Sequence, residues 1–168
     1  MALGDSVLQV LEELPPATLF ATLDVRPGGS TPAEQFLVRD FDADTQEYMD
    51  FKCRLQGYAG GGLNLRLFWS ATSATADVCR WAAAVRRIAD DAEDVDPSHT
   101  YVYTAVDATA PDVLGEVDYV TINLTSGANM DSWVEGELAI IRVTREAAHA
   151  NDTMTGDAEL WGIVGVES

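Results

Sequence analysis

The chain has 168 residues, 47% of them hydrophobic and 23% charged, which suits one packed domain and excludes a disordered tail. Its 28 acidic and 10 basic residues leave a formal net charge of −18, and Lys52 is the single lysine, so a basic patch for nucleic acid or an anionic membrane has little to be built from. No apolar run approaches the roughly 18 residues of a membrane span, and the start, Met1 to Asp5, lacks the features of a secretory signal, so a soluble, unprocessed chain is expected.

Residues 6–11 are apolar enough for a short strand or helix, and Pro15 and Pro16 stop it. Residues 19–25 read as a strand. Residues 26–32, with two prolines and two glycines, read as a flexible connection. The first 35 residues therefore read as an N-terminal arm, or as first strands and a loop, attached to a β body over residues 36–168.

In that body the dominant period is two. Met49, Phe51, Cys53 and Leu55 share one face of a strand, with Tyr48, Asp50, Lys52 and Arg54 on the other. The same alternation sets Leu63, Leu65, Leu67 and Trp69 against Asn64, Arg66, Phe68 and Ser70. It recurs in Cys79, Trp81, Ala83 and Val85, in Val117, Tyr119 and Thr121, and in Ala139, Ile141 and Val143. This is the pattern of half-buried strands. Turn residues interrupt it at Gly60, Gly61 and Gly62, at residues 73–77, 94–98, 110–112 and 126–129, and at Thr155, Gly156 and Asp157, ahead of a last strand near residues 158–166. Eight to ten short strands at this spacing predict a sandwich or barrel. Ala147, Ala148 and Ala150 favour one helical turn over residues 145–151, and residues 90–93 suit another.

The chemistry-bearing residues form no familiar site. Asp40, Asp42 and Asp44 resemble the opening of a calcium loop, but Thr45 stands where the loop needs glycine and Phe51 where it needs glutamate. The acidic run of Asp90, Asp91, Glu93, Asp94 and Asp96 reads as a hydrated loop. Cys53 and Cys79 lie in apolar strand patterns without ligand spacing and read as buried thiols, with a cross-strand disulfide the other option. His99 and His149 lack a second histidine at ligand spacing and a nucleophile elbow. The triple glycine lacks the lysine of a phosphate loop and reads as a turn. Trp69 and Trp81 read as core, and Trp133, in a polar stretch, as an exposed or interface aromatic. No catalytic, cofactor-binding or metal-ligating residue is assigned, and no cofactor is expected.

Ordered blocks run through residues 36–168: Asp40-Phe41-Asp42-Ala43-Asp44, Glu47-Tyr48-Met49, Tyr58-Ala59-Gly60-Gly61-Gly62-Leu63, Trp69-Ser70-Ala71-Thr72-Ser73-Ala74-Thr75, Arg86-Arg87-Ile88-Ala89-Asp90-Asp91, Gly127-Ala128-Asn129-Met130-Asp131-Ser132-Trp133, Gly136-Glu137-Leu138, Arg142-Val143-Thr144-Arg145, and Asn151-Asp152-Thr153-Met154-Thr155-Gly156-Asp157-Ala158-Glu159-Leu160. In order and spacing they resemble a family of small virion structural proteins of tailed bacteriophages. The resemblance implies an all-β fold, a single antiparallel β-sandwich of jelly-roll type with an N-terminal arm, and no enzyme activity. It implies a capsid decoration or cement protein, made in the host cytoplasm and placed on the outer surface of the virion head. The expected partners are the major capsid protein and two further copies in a homotrimer, with no nucleic acid and no membrane. A tail, baseplate or fibre-tip protein binding a host-surface receptor is the alternative, and a metal-dependent sandwich hydrolase a more distant one. The first 35 residues match the family less well.

Overall fold

The computed structural model describes residues 6–73 and 75–168. The chain start, read above for a secretory signal, and Ala74, in the turn at residues 73–77, lie outside the described residues. Ten strands run through the rest: β1 (Leu8–Leu14), β2 (Thr22–Gly28), β3 (Glu34–Phe41), β4 (Glu47–Leu55), β5 (Leu63–Ala71), β6 (Val78–Ile88), β7 (Thr104–Thr109), β8 (Asp118–Leu124), β9 (Leu138–Arg145) and β10 (Ala158–Glu167). They form two antiparallel five-stranded sheets, ordered β1-β4-β9-β6-β7 and β2-β3-β10-β5-β8.

The eight strands β3 to β10 make the quartets β4-β9-β6-β7 and β3-β10-β5-β8. Every connection but the β6–β7 hairpin crosses between sheets, which is the doubled Greek key of a jelly roll. β1 and β2 are additions, one on an edge of each sheet.

The period-two pattern explains the interior. Met49, Phe51, Cys53 and Leu55 of β4 face Leu63, Leu65, Leu67 and Trp69 of β5 across the core, joined by Ala139, Ile141 and Val143 of β9, and all are essentially inaccessible. Trp81 sits among them edge-on to Phe41, with centroids 5.1 Å apart, and to Trp69 at 5.9 Å. Burying each large apolar side chain contributes roughly 1.5–3 kcal/mol. Strand β1 enters close over β10. A Cβ on Gly165 would lie 2.7 Å from Leu8 Cβ and 2.8 Å from Leu63 Cδ1, so only glycine allows this approach.

Two sequence expectations need correction. Residues 26–32 are a connection only in their second half: β2 continues through Arg26, Pro27 and Gly28, paired with Phe36, Gln35 and Glu34 of β3, and residues 29–32 make the bend between the two strands. Pro27 is tolerated because β2 is an edge strand, where a missing N–H breaks no ladder. Residues 145–151 are not a helical turn either. Arg145 ends β9, and the chain after it folds as turns around the arginine's own guanidinium, which donates to the Gly156 carbonyl at 2.7 Å. The helical segment among the described residues is a single 3-10 turn, Ala128–Met130.

Candidate functional site

One flank of the sandwich differs from the rest. Among the described residues, nine of the eighteen large apolar side chains that remain exposed lie between Val10 and Leu37. The reason is the register of β3. It pairs with β2 from Glu34 to Asp40, but with β10 only at Phe41, Asp40 and Arg39. Beyond Arg39 the β2–β3 hairpin leaves the body of the sheet. Leu23, Val25 and Leu37 alternate with the outward residues and so continue the core-facing side, yet the opposite sheet no longer covers them. They are 54%, 40% and 67% exposed. At the base of the hairpin lies a pocket of about 330 Å³ lined by Leu23, Leu37, Phe51, Leu160 and Trp161, with Glu13 and Arg39 also in its wall. The Arg39 guanidinium reaches Glu13 at 3.4 Å from β1, a long and partly exposed pair of small energetic weight.

The outer face at the hairpin root is polar and connected. The Trp161 indole donates to Ser70 Oγ at 2.8 Å, and that hydroxyl donates to the buried Glu159 carboxylate at 2.6 Å. Glu159 also pairs with Arg26 of β2. Asp40 stands directly opposite Glu159 in the β3–β10 ladder, a like-charged cross-strand pair. Burial, followed by the charges of Asp157, Glu159, Asp24 and Glu47, pushes the Asp40 carboxyl up to about 7. Arg26, the nearby cation, is already committed to Glu159.

A carboxyl raised above its unfolded value gives stability that is greatest below pH 4 and is lost as the pH rises through about 7, because the native state holds the proton that the unfolded state has released. Asp40→Asn is therefore expected to raise the melting temperature above pH 7 relative to the parent, and the gap should close towards pH 4. Thermal melts of both proteins from pH 4 to 8 check this; a constant gap over that range would refute it.

Other residues singled out in the sequence are dispersed by the fold. Asp42 accepts the backbone N–H groups of Asp44 and Thr45, both at 2.7 Å, which makes it a turn former. His99 lies 3.8 Å from Asp131 and packs on Tyr101, while His149 accepts the Asn151 N–H at the far turn. Among the described residues no three His, Cys, Asp or Glu side chains converge as metal ligands. Cys53 and Cys79 are free and buried, and burial pushes the Cys53 thiol up to about 12 and raises Cys79 as well. Gly60 and Gly62 have φ of 112° and 110°. Their loop turns its amides onto one anion, the chain's own Glu167, which accepts from Ala59 and Gly61 at 2.9 Å.

Trp133 is a correction. It is only 2% exposed, and its indole donates to the Glu137 carbonyl at 2.9 Å. Asp131 and Ser132, with φ of 50° and 57°, turn the chain so that the ring goes inward. The polar neighbours that suggested exposure have backbone partners: Asp131 accepts from Arg87 N–H, and Glu135 from Gly57 and Tyr58 N–H.

No protein-family model matches this chain, and no curated protein matches it significantly. The candidate site is therefore defined by geometry. Sequence reading missed its principal residues, Leu23, Val25, Leu37 and Arg39. Their alternation was visible, but it reads the same for a covered strand as for an uncovered one.

Proposed function

We propose that the protein decorates the head of a tailed bacteriophage as a cement protein, binding the expanded shell and bridging major capsid protein subunits from the outer surface, as a homotrimer. The observation that carries this reading is the exposed apolar flank on a rigid jelly roll of net charge −18. Such a patch on an otherwise charged surface marks a place of contact with another macromolecule. The ordered blocks that resemble phage virion proteins support the same class. They fall mainly on the turns that close the sandwich, including the Glu167 cradle at residues 58–63 and the turns at residues 127–133 and 151–157, so their support bears on the framework.

The mechanism is differential affinity. A protein that binds only the expanded shell shifts the shell's equilibrium toward that state. Two packed sheets hold the contact surface rigid, so little ordering entropy is lost at docking. Three linked copies turn weak single contacts into a strong combined one. The surplus acids favour basic patches on the shell, so association weakens as salt rises.

Purified protein mixed with expanded, undecorated capsids is expected to co-sediment at moderate salt in hundreds of copies per particle, read by gel densitometry. Absence of association defeats the reading. A handful of copies per native virion points instead to the tail, baseplate or fibre tip.

A further inference from the structure

The exposed side of the β2–β3 hairpin continues the core-facing side of a sheet, and β2 has no strand on its outer edge among the described residues. We propose that this edge and the pocket at the hairpin's base form a docking surface for an extended, basic and apolar segment of a different protein, added to the sheet beside β2. The inference deepens the reading above and rests on it for the partner's identity, which would then be the shell subunit.

The geometry supplies both halves of strand addition. An edge strand offers a row of free backbone N–H and C=O groups, and a new strand pairs with them while its alternate side chains enter pockets. Pro27 contributes no donor, and the Val25 N–H is already turned onto Asp24 Oδ1 at 2.7 Å, so the added strand pairs with the remaining N–H and C=O groups of that edge and displaces the Asp24 contact. Leu23, Val25 and Leu37 provide the apolar floor, and the pocket bounded by Phe51, Leu160 and Trp161 accepts one large side chain.

Charge selects the occupant. Around the hairpin the cations are already neutralised: Arg26 by Glu159, Arg39 by Glu13 and Lys52 by Glu12. Asp24 and Glu34 have no cation within salt-bridge distance among the described residues, so the charge left on the hairpin is negative. A second copy is a poor complement. Seven of its ten cations are held in its own ion pairs, and it brings a like charge of −18. A segment alternating apolar and basic side chains satisfies the edge, the floor and the field together.

The probe is a nine-residue peptide of alternating valine and lysine, titrated into the full chain and followed by hydrogen exchange and tryptophan fluorescence. Slowed exchange confined to residues 22–28 and a change in the emission of partly buried Trp161 are expected. Leu37→Asp should weaken binding at least tenfold. Val113→Asp, an exposed apolar position on the β7–β8 connection, should leave binding unchanged. Circular dichroism checks that each variant folds. Protection scattered over other acidic faces, no binding, or equal affinity of Leu37→Asp overturns the inference. So does a self-associated species in sedimentation equilibrium that Leu37→Asp disperses, because the occupant would then be a second copy. The same variants tested on expanded shells separate the two readings. Parent protein that binds the peptide but not the shell defeats the cement role alone, whereas shell binding undiminished in Leu37→Asp defeats this surface alone.

Discussion

Replacing Arg145 with alanine is expected to cost on the order of 3–5 kcal/mol of folding stability, the usual range for removing one partner of a buried ion pair. Arg145 and Asp152 have side chains that are 0% and 1% exposed and approach to 2.8 Å. The guanidinium donates through Nε and Nη2 to the two Asp152 oxygens and through its remaining donors to the carbonyls of Met154 and Gly156, with a longer contact to that of Phe41 at 3.4 Å. Asp152 in turn accepts the Arg80 backbone N–H at 2.9 Å. One side chain thus organises the whole connection from β9 to β10. Its loss strands a carboxylate and several carbonyls away from water, and each such group carries its own desolvation cost. Lysine should rescue little, because a single ammonium cannot reproduce the planar fork. Urea unfolding of the alanine and lysine variants reads both effects; a loss below about 1 kcal/mol in the alanine variant would show that the pair does not hold the turn.

Trp81→Ala is expected to be comparably damaging, about 3–5 kcal/mol, because it empties the centre of the Phe41–Trp81–Trp69 cluster. The informative companion is Trp81→Phe. Among the described residues the buried Trp81 indole N–H has no acceptor, so phenylalanine removes an unpaired donor while keeping most of the packing. Trp133→Phe does the reverse, deleting a donor that is bonded and leaving the Glu137 carbonyl without it. Trp81→Phe should therefore cost less than Trp133→Phe, although Trp81 is the more central residue. Denaturant midpoints for the three variants test this order, and the opposite order between the two phenylalanine variants would mean that packing volume alone governs these sites.

The strands of the jelly roll were legible because alternation is a local property. A residue such as Cys53 or Ile141 announces its burial through its neighbours two positions away, whatever the strand pairs with. Trp69 and Trp81 were read as core on the same ground and are core. Trp133 departs from its sequence expectation because its environment is set by a turn whose positive φ angles no period reveals. The turn after Arg145 departs from the helical expectation because alanine's helix preference is worth only tenths of a kcal/mol per residue, and a buried guanidinium with five acceptor atoms overrides it.

The sequence by itself determined the fold class, the inward face of most strands, the burial of Cys53 and Cys79 and the strong negative charge, since each depends on composition or on spacing within one strand; whether the two thiols pair is open in the sequence, and that they stay unpaired is decided by the structure. The tertiary structure alone decided that β3 parts from β10 after Arg39, that the hairpin face is left uncovered, that Asp40 confronts Glu159 and that Glu167 returns to the glycine loop. Those features arise from register between segments far apart in the chain, and a period of two says which side a residue faces but not what lies opposite it.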